Sequence, residues 1–159
     1  MIGIDRWILP DGFEDVLPDR AVNVECLRRD LLDLFDTWGY DLIIPPMLEY
    51  TDSLLVEAGR DLDLLTFRVT DQVSGKMMGI RADITPQTAR IDAHSFAREG
   101  ISRLCYAGTV LHARARGPLS SRAPTSIGVE LFGEKSLDAD IEVVTLFLQS
   151  LSLADISDV

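Results

Sequence analysis

The sequence predicts an α+β fold, a mostly antiparallel sheet flanked by helices, in one domain over residues 1–159. Three features carry this prediction. Two long stretches, about residues 20–38 and 137–151, place apolar residues every three or four positions, the step of a helix with one buried face. Shorter stretches at 66–70, 77–81, 102–114 and 125–132 are rich in β-formers, and the links within each pair are too short for helical crossovers. Finally, 47% of the 159 residues are hydrophobic, enough to build a packed core.

Residues 7–18, WILPDGFEDVLP, open the chain irregularly, with a turn at Pro10-Asp11-Gly12. Asp19 is expected to cap the first helix, which presents Val24, Leu27, Leu31, Leu34 and Trp38 on one side and ends at Gly39. Residues 40–44 read as β, stopped by Pro45-Pro46. Residues 47–65 read as a short helix ending at Gly59, followed by a loop. Ser74-Gly75 turns a hairpin between 66–70 and 77–81. Thr85 as N-cap and Pro86 at the first helical position start a helix that runs to Arg98, packs Ala89, Ala93, Phe96 and Ala97, and closes at Gly100. In the last strand Ile127, Val129 and Leu131 share one face, and Ser126, Gly128 and Glu130 the other. Ser136 caps a final helix whose stripe is Leu137, Ile141, Val144, Leu148 and Leu151. The sequence stops directly after it, where a sheet ordinarily continues, so C-terminal truncation is expected.

Charge and motifs narrow the function. Against 26 acidic residues stand 15 basic ones, a net charge of −11 that repels phosphate backbones, so nucleic-acid binding is not expected. The first twenty residues hold acids and prolines where a secretory signal has a basic start and an apolar core, and no apolar run approaches a membrane span, so a cytoplasmic setting is expected. Cys26 and Cys105 read as small buried hydrophobes. His94 and His112 lack metal-ligand spacing, and the nucleophile-elbow, P-loop and dinucleotide fingerprints are absent, so neither metal nor cofactor is expected. Arg114, Arg116 and Arg122 lie on one loop, either a solvated hairpin tip or a phosphate clamp. The mid-strand Gly128 either relieves crowding or lets a ligand approach the backbone. In the stretch 80–94, IRADITPQTARIDAH, Arg81 and Asp83 point to one side, and Thr85 with a helix start follows. That set fits either a small zwitterion or an ordinary strand-to-helix joint.

Taken in order, these segments resemble the core of class II aminoacyl-tRNA synthetases of the histidyl type. The first helix with Gly39-Tyr40 and Ile44-Pro45-Pro46 is similar to the first class II motif. Arg81-Ala82-Asp83-Ile84-Thr85 is similar to the R-P-E-x-T element that holds the amino group of histidine. The run Tyr106 to Arg114, YAGTVLHAR, stands where the second motif has Y-x-G-x-V-F-R-x-E, and Glu130 stands at a histidine-binding glutamate. Against that pattern His112 replaces the ATP-gripping arginine, Arg114 replaces a glutamate, and Ser126 replaces a glutamine with longer reach. The phrases WILPDGFEDVLP, DLDLLTF and RLCYAGTVLHAR are similar to a paralogous family, the regulatory subunits of ATP phosphoribosyltransferase. The resemblance implies a partial synthetase-like core without catalysis. It also implies a homodimer within a hetero-oligomer, the catalytic subunit of ATP phosphoribosyltransferase as partner and L-histidine as effector. Arg81, Asp83, Thr85, Ser126 and Glu130 would then form the ligand site, and His112 and Arg114 the degenerate second motif.

Overall fold

The computed structural model describes residues 7–56, 59–117 and 120–156. Helix α1 (Pro18–Thr37) begins at Pro18, whose fixed φ suits the first helical position, after an extended Leu17; Asp19 adds a negative charge to the first turn but caps nothing. At its other end Gly39 takes φ +79°, a left-handed conformation that favours glycine. The Gly39 amide donates to Asp36 O (2.9 Å) and the Tyr40 amide to Phe35 O (3.1 Å), a Schellman stop that drops Tyr40 into the core.

The strands form two three-stranded sheets. In one, β1 (Asp41–Leu42), β5 (Ser102–Thr109) and β6 (Thr125–Phe132) lie in the order β1-β5-β6; β1 runs parallel to β5, and β5 antiparallel to β6. In the other, β2 (Leu48–Tyr50), β3 (Phe67–Thr70) and β4 (Met77–Ile80) lie in the antiparallel order β2-β4-β3. The α+β class and the two hairpins therefore match the sequence reading. Strand β1 is only two residues long because Pro45-Pro46 follows and Ile43 N already reaches across to Cys105 O.

Several elements differ from expectation. Residues 48–54 form β2 and a single turn, α2 (Thr51–Leu54), and Gly59 precedes α3 (Arg60–Leu65) as its N-cap rather than ending a helix; residues 57–58 of that segment lie outside the described residues. Helix α4 (Thr85–Arg90) continues as a π-helical turn, Ile91–Phe96, and stops at Ala97 in the left-handed region, not at Gly100. It buries Gln87 and Thr88, while Ala89 and Ala93 face an open cleft beside α2. Cys26 is exposed; Cys105 is buried, and burial raises its thiol to about 11.

The main core gathers Leu31 and Phe35 of α1, Tyr40, Cys105 of β5 and Leu146 of α5 (Leu137–Leu153), with Ile127 and Val129 of β6 against them. Ser136 caps α5 as expected, accepting from Ala139 N. The buried face of α5 is Ala139 and Leu146, however, whereas Leu137, Ile141, Val144 and Leu148 are all more than half exposed. Leu146 has no exposed surface, so Leu146→Ala should cost about 2–5 kcal/mol, read from the urea midpoint at unchanged slope. Among the described residues no helix is long and apolar enough to cross a membrane.

Candidate ligand-binding site

The stretch after β4 joins the two sheets. Arg81 is buried, and its guanidinium donates from Nε to Thr109 O (3.0 Å) and from Nη1 to Pro45 O (2.9 Å). Its backbone adds Arg81 N to Met47 O and accepts from Leu111 N. The remaining nitrogen, Nη2, lies over Gly108, 2.5 Å from where a Cβ would stand, so this glycine makes room for a side chain of the protein. Arg81 therefore holds backbone in place, although the sequence placed it beside Asp83 as a ligand residue.

Asp83 turns the other way. Its Oδ1 accepts from the amides of Ile84 (2.7 Å) and Thr85 (3.5 Å), so the first amides of α4 are already satisfied by a carboxylate. Thr85 is the first helical residue rather than the cap, and its hydroxyl is free to donate to Glu130 Oε1 of β6 at 2.7 Å. The Tyr106 hydroxyl lies 3.2 Å from Thr85 Oγ1. Asp83, Thr85, Tyr106 and Glu130 thus converge from three elements. Burial, with Asp83 nearby, pushes the Glu130 carboxyl upward, while hydrogen bonds from Thr85 and Tyr106 oppose that shift. Burial also raises the Tyr106 phenol.

Sequence reading missed Tyr106, although a signal was present. Tyr106 pairs with Gly128 across β5 and β6, and its ring covers that glycine: a Cβ on Gly128 would stand 2.7 Å from the phenol oxygen. An aromatic opposite a strand glycine is a recognised cross-strand device. Gly128 accommodates Tyr106, then, and not a ligand. Ser126 pairs with Gly108, four residues before Glu130 on the same face, and is half-buried. Buried Gln87 was also missed; its Nε2 donates to Pro46 O and Glu49 (both 2.7 Å), and Glu49 is held by Arg90.

The loop after β5 is pinned rather than free. His112 is buried, and its Nε2 lies 3.1 Å from Ala82 O. A carbonyl only accepts, so Nε2 carries the proton and Nδ1 is a bare acceptor, buried without a partner. Burial lowers the pKa of this ring. Arg122 donates to His112 O, Ala113 O and Asp11 O, and its guanidinium sits 4.8 Å and 5.2 Å from the ring centres of Phe13 and Phe67. Of the two readings of this loop, the phosphate clamp loses Arg122 to the N-terminal turn, while Arg114 and Arg116 are exposed.

Residues 12–159 match the sequence model of histidyl-tRNA synthetase. The chain belongs to the histidyl-tRNA synthetase family. Its fold matches that of a Bacillus halodurans protein described as an ATP phosphoribosyltransferase regulatory subunit/histidyl-tRNA synthetase, with TM-score 0.85 and 30% identity over 99% of this chain and 40% of that one. A histidine–tRNA ligase subunit from Alicyclobacillus acidocaldarius matches at TM-score 0.77 and 25% identity, covering 93% of this chain and 42% of that one. Among sequences of this family, the ATP phosphoribosyltransferase regulatory subunits of Saccharophagus degradans and Cellvibrio japonicus are 62% and 63% identical, over 98% and 94% of the chain. The chain spans 39% and 38% of the length of those two relatives. The synthetase-like core and the regulatory-subunit likeness expected from sequence are thus both found.

Proposed function

We propose that this chain is the histidine-sensing part of a cytoplasmic regulatory subunit of ATP phosphoribosyltransferase. In this reading it performs no chemistry. It pairs with a second copy, assembles with the catalytic subunit, activates it and takes part in feedback by L-histidine. Asp83 and Glu130 bind the ammonium and imidazole groups, Thr85 links them, and Ser126 stands on the same face of β6 as Glu130. Arg81 supports the site from behind through Pro45 and Thr109. Feedback requires histidine to bind the inhibited and active assemblies unequally, typically by about 1–3 kcal/mol.

The observation that carries this reading is the pairing of a carboxylate cluster with a buried, neutral-leaning His112 at the place where the resemblance expects an ATP-gripping arginine. A nucleotide's phosphates need preorganised cationic donors. The name of the B. halodurans protein keeps a second reading, a synthetase, in play. Histidine-dependent ATP–pyrophosphate exchange separates the two: none is expected, and robust exchange overturns the regulatory reading. On the binding side, Asp83→Ala should weaken L-histidine by the worth of a charge-assisted contact, about 1.5–3 kcal/mol by titration calorimetry. Unchanged affinity removes Asp83 from the site.

A further inference from the structure

One residue ties the stretch after β5 to the N-terminus of the chain. Arg122 is paired through its backbone on two sides: its N–H donates to Gly12 O (2.8 Å), and its carbonyl accepts from His112 N (2.8 Å). Its side chain repeats both links. Nε and Nη2 donate to His112 O and Ala113 O (both 2.9 Å), and Nη1 donates to Asp11 O (3.1 Å). All three acceptors are main-chain carbonyls, so the guanidinium fixes backbone on both sides. Gly12 takes φ +80°, and a Cβ there would stand 2.7 Å from Arg122 Cδ and 2.8 Å from Cγ, so the turn lies directly on the arginine stem. The same guanidinium lies 4.8 Å from the ring centre of Phe13, the residue that closes the turn.

The two partners differ in how they are held. Residues 7–12 are exposed, and the turn closes on itself from Phe13 N to Pro10 O (3.0 Å). On the other side each amide from Val110 to Ala113 has a partner, in turn Pro124 O, Arg81 O, Arg122 O and Leu65 O. Two of those four bonds run to Arg122 and Pro124, the arm on which the turn sits. Exposed backbone joined in this way opens locally as one unit, at a cost below that of global unfolding.

We propose that the Pro10–Phe13 turn is a clasp on the stretch after β5: the two order as one unit through Arg122, and a contact that lifts the turn frees residues 110–113. His112 is thereby coupled to exposed N-terminal residues far away in sequence. The coupling is built from contacts within the chain and holds whatever ligand the chain senses.

Amide hydrogen exchange on the chain, read residue by residue by NMR, tests this. Gly12→Val forces a branched side chain into a left-handed backbone and against the Arg122 stem. Gly75→Val is the control: it imposes the same backbone strain, at φ +70°, in a turn with nothing within 4 Å of the added Cβ. Gly12→Val should speed exchange at His112 and Ala113 by at least about tenfold while leaving Leu146 in the core unchanged. Gly75→Val should leave His112 and Ala113 as they are in the parent. Unchanged exchange at His112 in Gly12→Val, or an equal rise at Leu146 or in Gly75→Val, overturns the clasp. Should Gly12→Val not fold, Phe13→Ala keeps the test, since it removes the ring over Arg122 and leaves the turn's backbone intact. It should speed exchange at His112 by about threefold, and an unchanged rate there overturns the clasp as well.

Discussion

Arg81→Ala should lower the unfolding free energy by about 2–4 kcal/mol, because it strands two buried carbonyls and opens a void over Gly108. For a chain of this size that is a fall of about 5–15 °C in thermal midpoint. Pro45 lies in the link between β1 and β2 and Thr109 ends β5, so losing their common donor loosens that link from β5 rather than a surface detail. Arg81→Lys should recover only part of the loss, since one ammonium cannot match a planar fork that meets both carbonyls and lies flat on a glycine. Urea unfolding of the three proteins measures this. A variant of native stability that no longer binds L-histidine would instead make Arg81 a direct ligand contact.

Glu130→Gln should do the opposite to stability and weaken the binding of L-histidine. The Glu130 pKa is raised in the folded chain, by burial first and by Asp83 after it. A carboxyl raised in this way stabilises the fold below its unfolded pKa, and that contribution is lost as pH rises through the folded value. A glutamine keeps an oxygen for Thr85 and removes the charge. The variant and the parent should therefore melt together in acid, and the variant should gain a few degrees over the parent toward neutral pH. Its affinity for L-histidine should drop at least about tenfold, by loss of a charge-assisted contact. A glutamine variant that melts below the parent at neutral pH would contradict the account of Glu130 as a carboxylate held at a cost for binding.

Much of the fold was legible because it is encoded locally. The β3–β4 and β5–β6 pairs follow from alternation and short links, and the end of α1 from Gly39. Helix α5 shows where periodicity fails. Its sequence, LDADIEVVTLFLQSLSL, is apolar on more than one side, so spacing alone favoured Leu137, Ile141, Val144 and Leu148, and packing chose Ala139 and Leu146.

By itself, then, the sequence determined the α+β class and the strand pairs, and its motifs singled out Asp83, Thr85 and Glu130 as candidates, two of which, Thr85 and Glu130, the fold brings into hydrogen-bond contact. Tertiary structure decided which polar groups remained available to a ligand. Three of the residues read as candidates were redirected: Arg81 to carbonyls of β5 and of the link before β2, Arg122 to the N-terminal turn, and Gly128 to the Tyr106 ring. The physical reason is that these partners are main-chain oxygens or empty space above a strand. Every residue carries the same carbonyl, so no residue type in the sequence marks which one a buried guanidinium must satisfy.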